Sequence, residues 1–245
     1  MSAIVKTKAL VIRKNEFGDS SYVVTLFTEE FGKFSAVIKG ARSSKNKNVL
    51  SADVLNYVNV VMYKKEHRET QLVTQVDLIN GYKRIKESLN KLKYAIAVCE
   101  LIQDLLLDNE PHKRLFKGVL RIFELMELNN QSHKLLFVKF LIFFIEEIGF
   151  KLNLDTCVVC DKELSNQANY GFNYEKGFLC EACAAENFVN RIFDSELFNL
   201  LLCLSTKKNQ VKYSDTSLDS LINFLELYLS FHVQEFKGIK SLKIY

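Results

Sequence analysis

Two cysteine pairs, Cys157-Val158-Val159-Cys160 and Cys180-Glu181-Ala182-Cys183, lie nineteen residues apart. Each short pair can form a turn that aims two sulfurs at one point, and four thiolates in a tetrahedron are what zinc prefers. The stretch between the pairs carries Gly171 and Gly177 among Tyr170, Phe172, Tyr174 and Phe178, which predicts a small hairpin. The pattern therefore reads as a zinc ribbon. With Cys157, Cys160, Cys180 and Cys183 filling all four positions, no site is left for a water or substrate, so one structural Zn2+ is expected. The competing chemistry is a pair of redox Cys-x-x-Cys motifs. Those sit at the strand-to-helix junction of a thioredoxin-like unit, which this segment does not resemble. Cys99 and Cys203 fall in apolar helical patterns and read as buried hydrophobes.

The second group able to do chemistry is cationic. The chain has 245 residues and a formal net charge of +4, but its first fifty residues hold nine Lys or Arg against four acids, leaving the remainder close to neutral. Such an asymmetry suits a polyanion-binding end, with a solvated basic surface as the plainer alternative. Lys33, Lys39, Arg42, Lys45 and Lys47 cluster there. The segment from Lys39 to Asn48 is small, polar and basic, and reads as a loop along which phosphates could lie.

The elements that must carry these groups follow from periodicity. Short β-branched and aromatic runs at Thr7–Arg13, Tyr22–Thr28, Gly32–Ile38, Leu55–Tyr63 and Thr70–Asp77 predict five strands in a small barrel. In the third run Phe34, Ala36 and Ile38 share one face, while Lys33, Ser35, Val37 and Lys39 share the other. A basic loop on such a barrel makes a plausible groove for a single strand. There Phe17, Tyr22 or Tyr57 could stack bases, although a small barrel needs most of its large side chains inside.

After Gly81 the period becomes helical. Helices are expected from Ile85 to Leu107, from about Lys113 to Leu128 beyond Pro111, and from Leu135 to Ile148, the last apolar on nearly all sides and ended by Gly149. Beyond the ribbon, Asp194 or Ser195 can cap a helix through Leu204, and Ser214 or Asp215 another through about Val233. The expected class is α+β: a five-stranded barrel over residues 1–80 and a helical bundle over 81–245, with the ribbon inserted at about 155–190.

Other chemistry has no seat in the pattern. No phosphate-binding glycine loop, His-Glu-x-x-His helix or Gly-x-Ser-x-Gly elbow is present, and His67, His112, His133 and His232 lack ligand spacing. Asp104 and Asp108 stand one helical turn apart, as acids on solvated helix faces often do. The expectation is a non-enzyme. The N-terminus lacks signal-peptide architecture, and the longest apolar run, Leu135 to Ile145, is too short to cross a bilayer, so a cytoplasmic protein without a membrane contact is expected.

Thr7-Lys8-Ala9-Leu10-Val11-Ile12, Phe17-Gly18-Asp19, Thr25-Leu26-Phe27-Thr28, Gly32-Lys33 and Lys39-Gly40-Ala41-Arg42 resemble the N-terminal domain of the RecO family of bacterial recombination mediators. Ile148-Gly149-Phe150, the two cysteine pairs, and the tail around His232 and Ser241-Leu242 follow in that family's order. The resemblance implies an OB-fold barrel that binds single- and double-stranded DNA, and strand annealing. It also implies work with RecR, and in many bacteria RecF, in loading RecA onto DNA covered by single-stranded-DNA-binding protein (SSB). Carried over by position, Lys39 and Arg42 are the foremost phosphate contacts, supported by Lys33, Lys45 and Lys47, and the four cysteines bind zinc. The family docks the SSB C-terminal tail on its helical region. Lys113, Arg114, Lys117 and Arg121, beside an apolar helix face, fit an acidic tail chemically, against the plainer reading of a solvated face. Bacterial nucleoid localisation follows from the same resemblance, and a zinc-ribbon adaptor that binds only proteins is the alternative function.

Overall fold

Fifteen consecutive residues with buried side chains at their centre form β1 (Ala3–Phe17), long enough to belong to two pairings at once. Residues 3–10 pair antiparallel with β4 (Tyr57–Lys64), and residues 9–17 pair antiparallel with β2 (Ser21–Thr28). A bulge between Val11 and Arg13 bends the strand between the two halves, as barrel closure requires. β2 continues antiparallel into β3 (Gly32–Ile38), which runs parallel to β5 (Thr70–Asn80), and β5 returns antiparallel to β4. The result is a closed barrel in the order β1-β2-β3-β5-β4, a five-stranded Greek-key barrel of the OB type. Alternate residues point inward, so Ala9, Val11, Val24, Leu26, Phe34, Ala36, Ile38, Val58, Val60 and Met62 fill its core.

The computed structural model describes residues 3–39, 51–65, 68–128, 131–206 and 212–243. These fall into two compact units, Met1–His133 with Ile239–Tyr245, and Lys134–Gly238.

In the first unit the barrel is followed by α1 (Lys83–Lys86), α2 (Leu89–Leu105) and α3 (Lys113–Leu128). The single helix expected from Ile85 is broken, because Ser88 adopts an extended backbone. The Glu127 carboxylate accepts from the Arg84 and Ile85 backbone N–H groups at 2.9 and 3.1 Å, which satisfies donors that a helix start leaves without partners. On α3, Leu115, Phe116, Val119, Ile122, Phe123 and Met126 are buried at helical spacing, and Phe116 meets Phe27 of β2 edge to face at 5.5 Å. The segment joining α2 to α3 lies against β3, where the Asn109 N–H donates to the Lys33 carbonyl at 2.7 Å. Gly32 makes this approach possible: a Cβ there would stand 2.0 Å from the Glu110 carbonyl oxygen, and its φ is +66°. A final 3-10 turn, Lys240–Leu242, is held to α2 by the Glu100 carboxylate, which accepts from both the Lys240 and Ser241 N–H groups and from the Ser241 hydroxyl.

The second unit contains α4 (His133–Glu147), apolar on most of its surface as expected. A three-stranded sheet follows, with order β7-β6-β8, made of β6 (Asn169–Asn173), β7 (Gly177–Leu179) and β8 (Arg191–Asp194). Between β7 and β8 lies α5 (Glu181–Glu186). α6 (Ser195–Ser205) is capped by Asp194, whose Oδ1 accepts from Leu197 N–H at 2.7 Å, and α7 (Asp215–His232) begins with a capping box at Ser214 and Ser217. Phe172, Phe178, Phe193 and Phe224 pack edge to face at 4.7 to 5.1 Å, so the sheet and α7 share one aromatic core.

Candidate metal centre and nucleic-acid interface

Cys157 and Cys160 sit in the turn before the sheet, and Cys180 ends β7 and stands at the N-cap of α5, one turn ahead of Cys183. Backbone bonds set the turn: Cys157 N–H donates to the Lys162 carbonyl at 2.8 Å, Asp161 N–H to the Cys157 carbonyl at 2.9 Å, and Val158 N–H to the Phe178 carbonyl at 3.0 Å. The last bond ties the first cysteine turn to the strand that carries the second. Gly171 lets α5 close on the sheet, since a Cβ there would come within 2.6 Å of the Ala184 Cβ.

All four sulfurs lie within 4.8 Å of one another, and Cys160 Sγ to Cys180 Sγ is 3.7 Å. Zinc–sulfur bonds of about 2.3 Å at tetrahedral angles put sulfurs about 3.8 Å apart, so the donor set fits a tetrahedral thiophilic ion. Cys157 and Cys180 are buried, while Cys160 and Cys183 are partly exposed. Burial opposes ionisation of Cys157, but hydrogen bonds from the backbone at Cys180, Val159 and Cys160 and from the Cys160 side chain outweigh it and bring its pKa down to about 6. Cys183 is pushed up to about 12, first by sharing a hydrogen bond with Cys180 and then with Cys160. Cys157 and Cys183 are thus shifted in opposite directions, and a bound dication would favour the thiolate form of each. Among the described residues this is the group of three or more His, Cys, Asp or Glu side chains that could hold a metal ion. Asp108 is instead paired with Lys33. Cys99 is buried and its thiol pushed up by desolvation, as an inert hydrophobe should be, whereas Cys203 is only partly buried.

The cationic residues separate. Lys39 is exposed where β3 ends. Arg42, Lys45 and Lys47 lie outside the described residues. Lys33 occupies the outward-facing position predicted for it, but that part of the face is covered. Its ammonium is buried, donates to the Gln103 carbonyl at 2.6 Å and lies 3.2 Å from Asp108 Oδ1. With its ammonium buried and two of its three N–H donors so engaged, Lys33 does not present a charge to a phosphate backbone in solvent, and it is not carried into the proposed nucleic-acid surface. Of the three aromatics that could stack bases, Tyr22 packs against the barrel core under the Lys14 ammonium, 4.3 Å from its ring centre, and Tyr57 packs 6.4 Å from Phe116. Phe17 is 57% exposed.

On α3, Lys113, Arg114, Lys117 and Arg121 are all exposed. Lys117 pairs with Glu29 at 3.0 Å and Arg121 with Glu124 at 3.4 Å, so these charges are partly offset locally.

A closed OB-type barrel, helices and a four-cysteine module define the architecture of the chain. Family profiles bear directly on this: the profile described as Recombination protein O N terminal matches residues 1–82, and that described as Recombination protein O C terminal matches residues 86–243. The chain belongs to the RecO family of DNA repair and recombination proteins. Among its relatives, the DNA repair protein RecO of Chloroherpeton thalassium is 27% identical over 99% of this chain and 98% of its own length. That of Alkaliphilus metalliredigens is 26% identical over 98% of both, and that of Chlorobium limicola 32% identical over 67% of this chain and 63% of its own length.

Proposed function

We propose that this protein is a recombination mediator of the RecF pathway. It binds single- and double-stranded DNA, anneals complementary strands and, with RecR, helps load RecA onto SSB-coated single-stranded DNA. The observation that carries the reading is a closed OB-type barrel, in a chain of the RecO family, whose third strand is followed at once by exposed Lys39 and, in sequence, by Arg42, Lys45 and Lys47. Residues 1–80 do the nucleic-acid work in this reading, while residues 81–245, with the ribbon, supply docking surfaces for RecR and the SSB tail. RecF and RecA are functional partners.

The mechanism is electrostatic rather than covalent, and the protein is not an enzyme. Lysine and arginine charges neutralise phosphates on two strands, lowering their mutual repulsion while bases pair. Each neutralised phosphate releases condensed counterions, so affinity falls steeply with salt. Cys157, Cys160, Cys180 and Cys183 hold one structural Zn2+, which fixes the first cysteine turn to α5 and supplies folding energy to the module. The protein works in the cytoplasm on the nucleoid; none of its described helices is long and apolar enough to cross a membrane.

The test is the affinity for a labelled single strand at several salt concentrations, for the native protein and for the double substitution Lys39→Ala with Arg42→Ala. The double variant should lower the slope of log affinity against log salt by about 1–2. An unchanged slope means that the phosphate contacts lie elsewhere. Absence of any salt-sensitive affinity favours a zinc-ribbon adaptor that meets only proteins.

A further inference from the structure

Among the described residues, one face of the β1-β2-β3 sheet is covered at one end and exposed at the other. Phe27 and Lys33, opposite one another in register, mark the closed end: Phe27 lies under Phe116 and Lys33 is paired with Asp108. Following the same face along β1, Arg13, Asn15 and Phe17 stand opposite Thr25, Val23 and Ser21, while Lys14 and Glu16 turn to the other side. Arg13, Asn15 and Phe17 are all exposed. Tyr22 pairs with Ile38, so continuing the register places Lys39 beside Ser21. Phe17 and Ser21 of β1 and β2 then line up with Lys39, one residue past the end of β3, about 10 Å from end to end, with Arg13 about 13 Å along β1.

The face joins two cations, Arg13 and Lys39, to an aromatic ring at a place where the barrel core has no use for one. Phe17 ends its strand beside Gly18, Asp19 and Ser20, a polar turn, and more than half of its surface meets solvent. A single exposed phenyl group is unremarkable on a protein surface. With a guanidinium and an ammonium about 10–13 Å away on the same exposed face, it matches the alternation of charge and π-surface that a single strand presents, phosphate then base.

We propose that Phe17 stacks on a base of a single strand whose phosphates are held by Arg13 and Lys39 across the outer face of β1, β2 and β3. The assignment rests on the DNA-binding reading above. It carries a discrimination with it: bases in a duplex are already stacked on each other, so Phe17 serves single strands only.

The experiment compares a labelled oligothymidylate, a strand of the same length with abasic sites in place of the bases, and a duplex, by fluorescence anisotropy. Phe17→Ala should weaken oligothymidylate binding about tenfold with an unchanged salt slope, and leave the abasic strand and the duplex unaffected. Arg13→Gln should lower the salt slope by about 1 on both single strands. The chain contains no tryptophan, so Phe17→Trp places a sole reporter at the site. Its emission should be quenched by oligothymidylate and not by the abasic strand, and its affinity should match or exceed that of the native protein. Equal losses on normal and abasic strands for Phe17→Ala, or an unquenched Phe17→Trp, overturn the stacking assignment. If Lys39→Ala weakens binding while Phe17→Ala does not, stacking fails and the DNA-binding reading survives. If the native protein binds none of the three probes, both fall. Thermal melting of Phe17→Ala at the native temperature excludes a folding defect as the cause of its loss.

Discussion

Lys33 and Asp108 are joined across 3.2 Å, with the lysine ammonium buried and the aspartate at the solvent edge. The pair fastens the α2–α3 connection to the third barrel strand, beside the backbone bond from Asn109 to Lys33. Lys33 is therefore engaged within the first unit, while Lys39, six positions on, is exposed and carries the binding role proposed above.

Substitutions should separate those roles. Lys33→Ala removes both the ion pair and the bond to the Gln103 carbonyl, and should cost about 1–3 kcal/mol in urea unfolding while leaving the salt slope of DNA binding unchanged. Lys39→Ala should do the reverse, lowering the slope with a melting temperature close to that of the native protein. A slope change in Lys33→Ala without loss of stability would return that residue to the DNA face.

Gly32 and Gly18 both have positive φ, at +66° and +57°, but only Gly32 is overhung by backbone. Gly32→Ala should cost about 3–5 kcal/mol, adding a collision with Glu110 to the left-handed backbone strain. Gly18→Ala meets nothing within 4 Å and should cost only about 1 kcal/mol. Paired denaturation curves check the difference.

Much of this was legible from local pattern. The strand and helix periods mark every barrel strand, and the cysteine spacing brings four sulfurs together because each pair is a local turn. What escaped depends on distant neighbours. Lys33 lies on the face its alternation predicts, yet no strand period shows that residues some seventy positions later cover it. The break at Ser88 is hidden because apolar residues continue in phase on both sides. Strand β8 has only four residues, two of them the charged Arg191 and Asp194, too short for alternation to stand out. Its place is set by pairing with Tyr170 and Gly171.

Removal of the metal should loosen the ribbon and leave the barrel folded. The native protein should carry one zinc per chain by elemental analysis. A strong chelator, or Cys157→Ser, should raise amide hydrogen exchange across residues 155–195 with little change in β1 to β5. Unchanged exchange in the ribbon would mean that its aromatic core suffices without metal.

His232 stacks on Phe150 at 5.2 Å and meets Tyr228 edge-on at 4.5 Å, and its Nε2 is buried with no partner among the described residues. Burial pushes its pKa below the ordinary 6.5, and a backbone hydrogen bond at Tyr174 offsets part of that. The unfolded chain then binds a proton more readily than the folded one, so stability is full above about pH 6.5 and is lost as pH falls through the lowered folded value. His232→Phe keeps the ring packing, and its melting temperature should fall less than the native one between pH 7.5 and pH 5.5. Parallel curves would show that His232 does not contribute.

Annealing by charge neutralisation on a RecO-family barrel is the activity proposed for this protein. Two complementary oligonucleotides precoated with the host's single-strand-binding protein, mixed with this protein without nucleotide, test it through the rate of duplex formation at two salt concentrations. Acceleration that weakens at the higher salt, and that falls in the Lys39→Ala with Arg42→Ala variant, is the predicted result. No acceleration by folded, zinc-loaded protein, or acceleration indifferent to salt and to both substitutions, would contradict it.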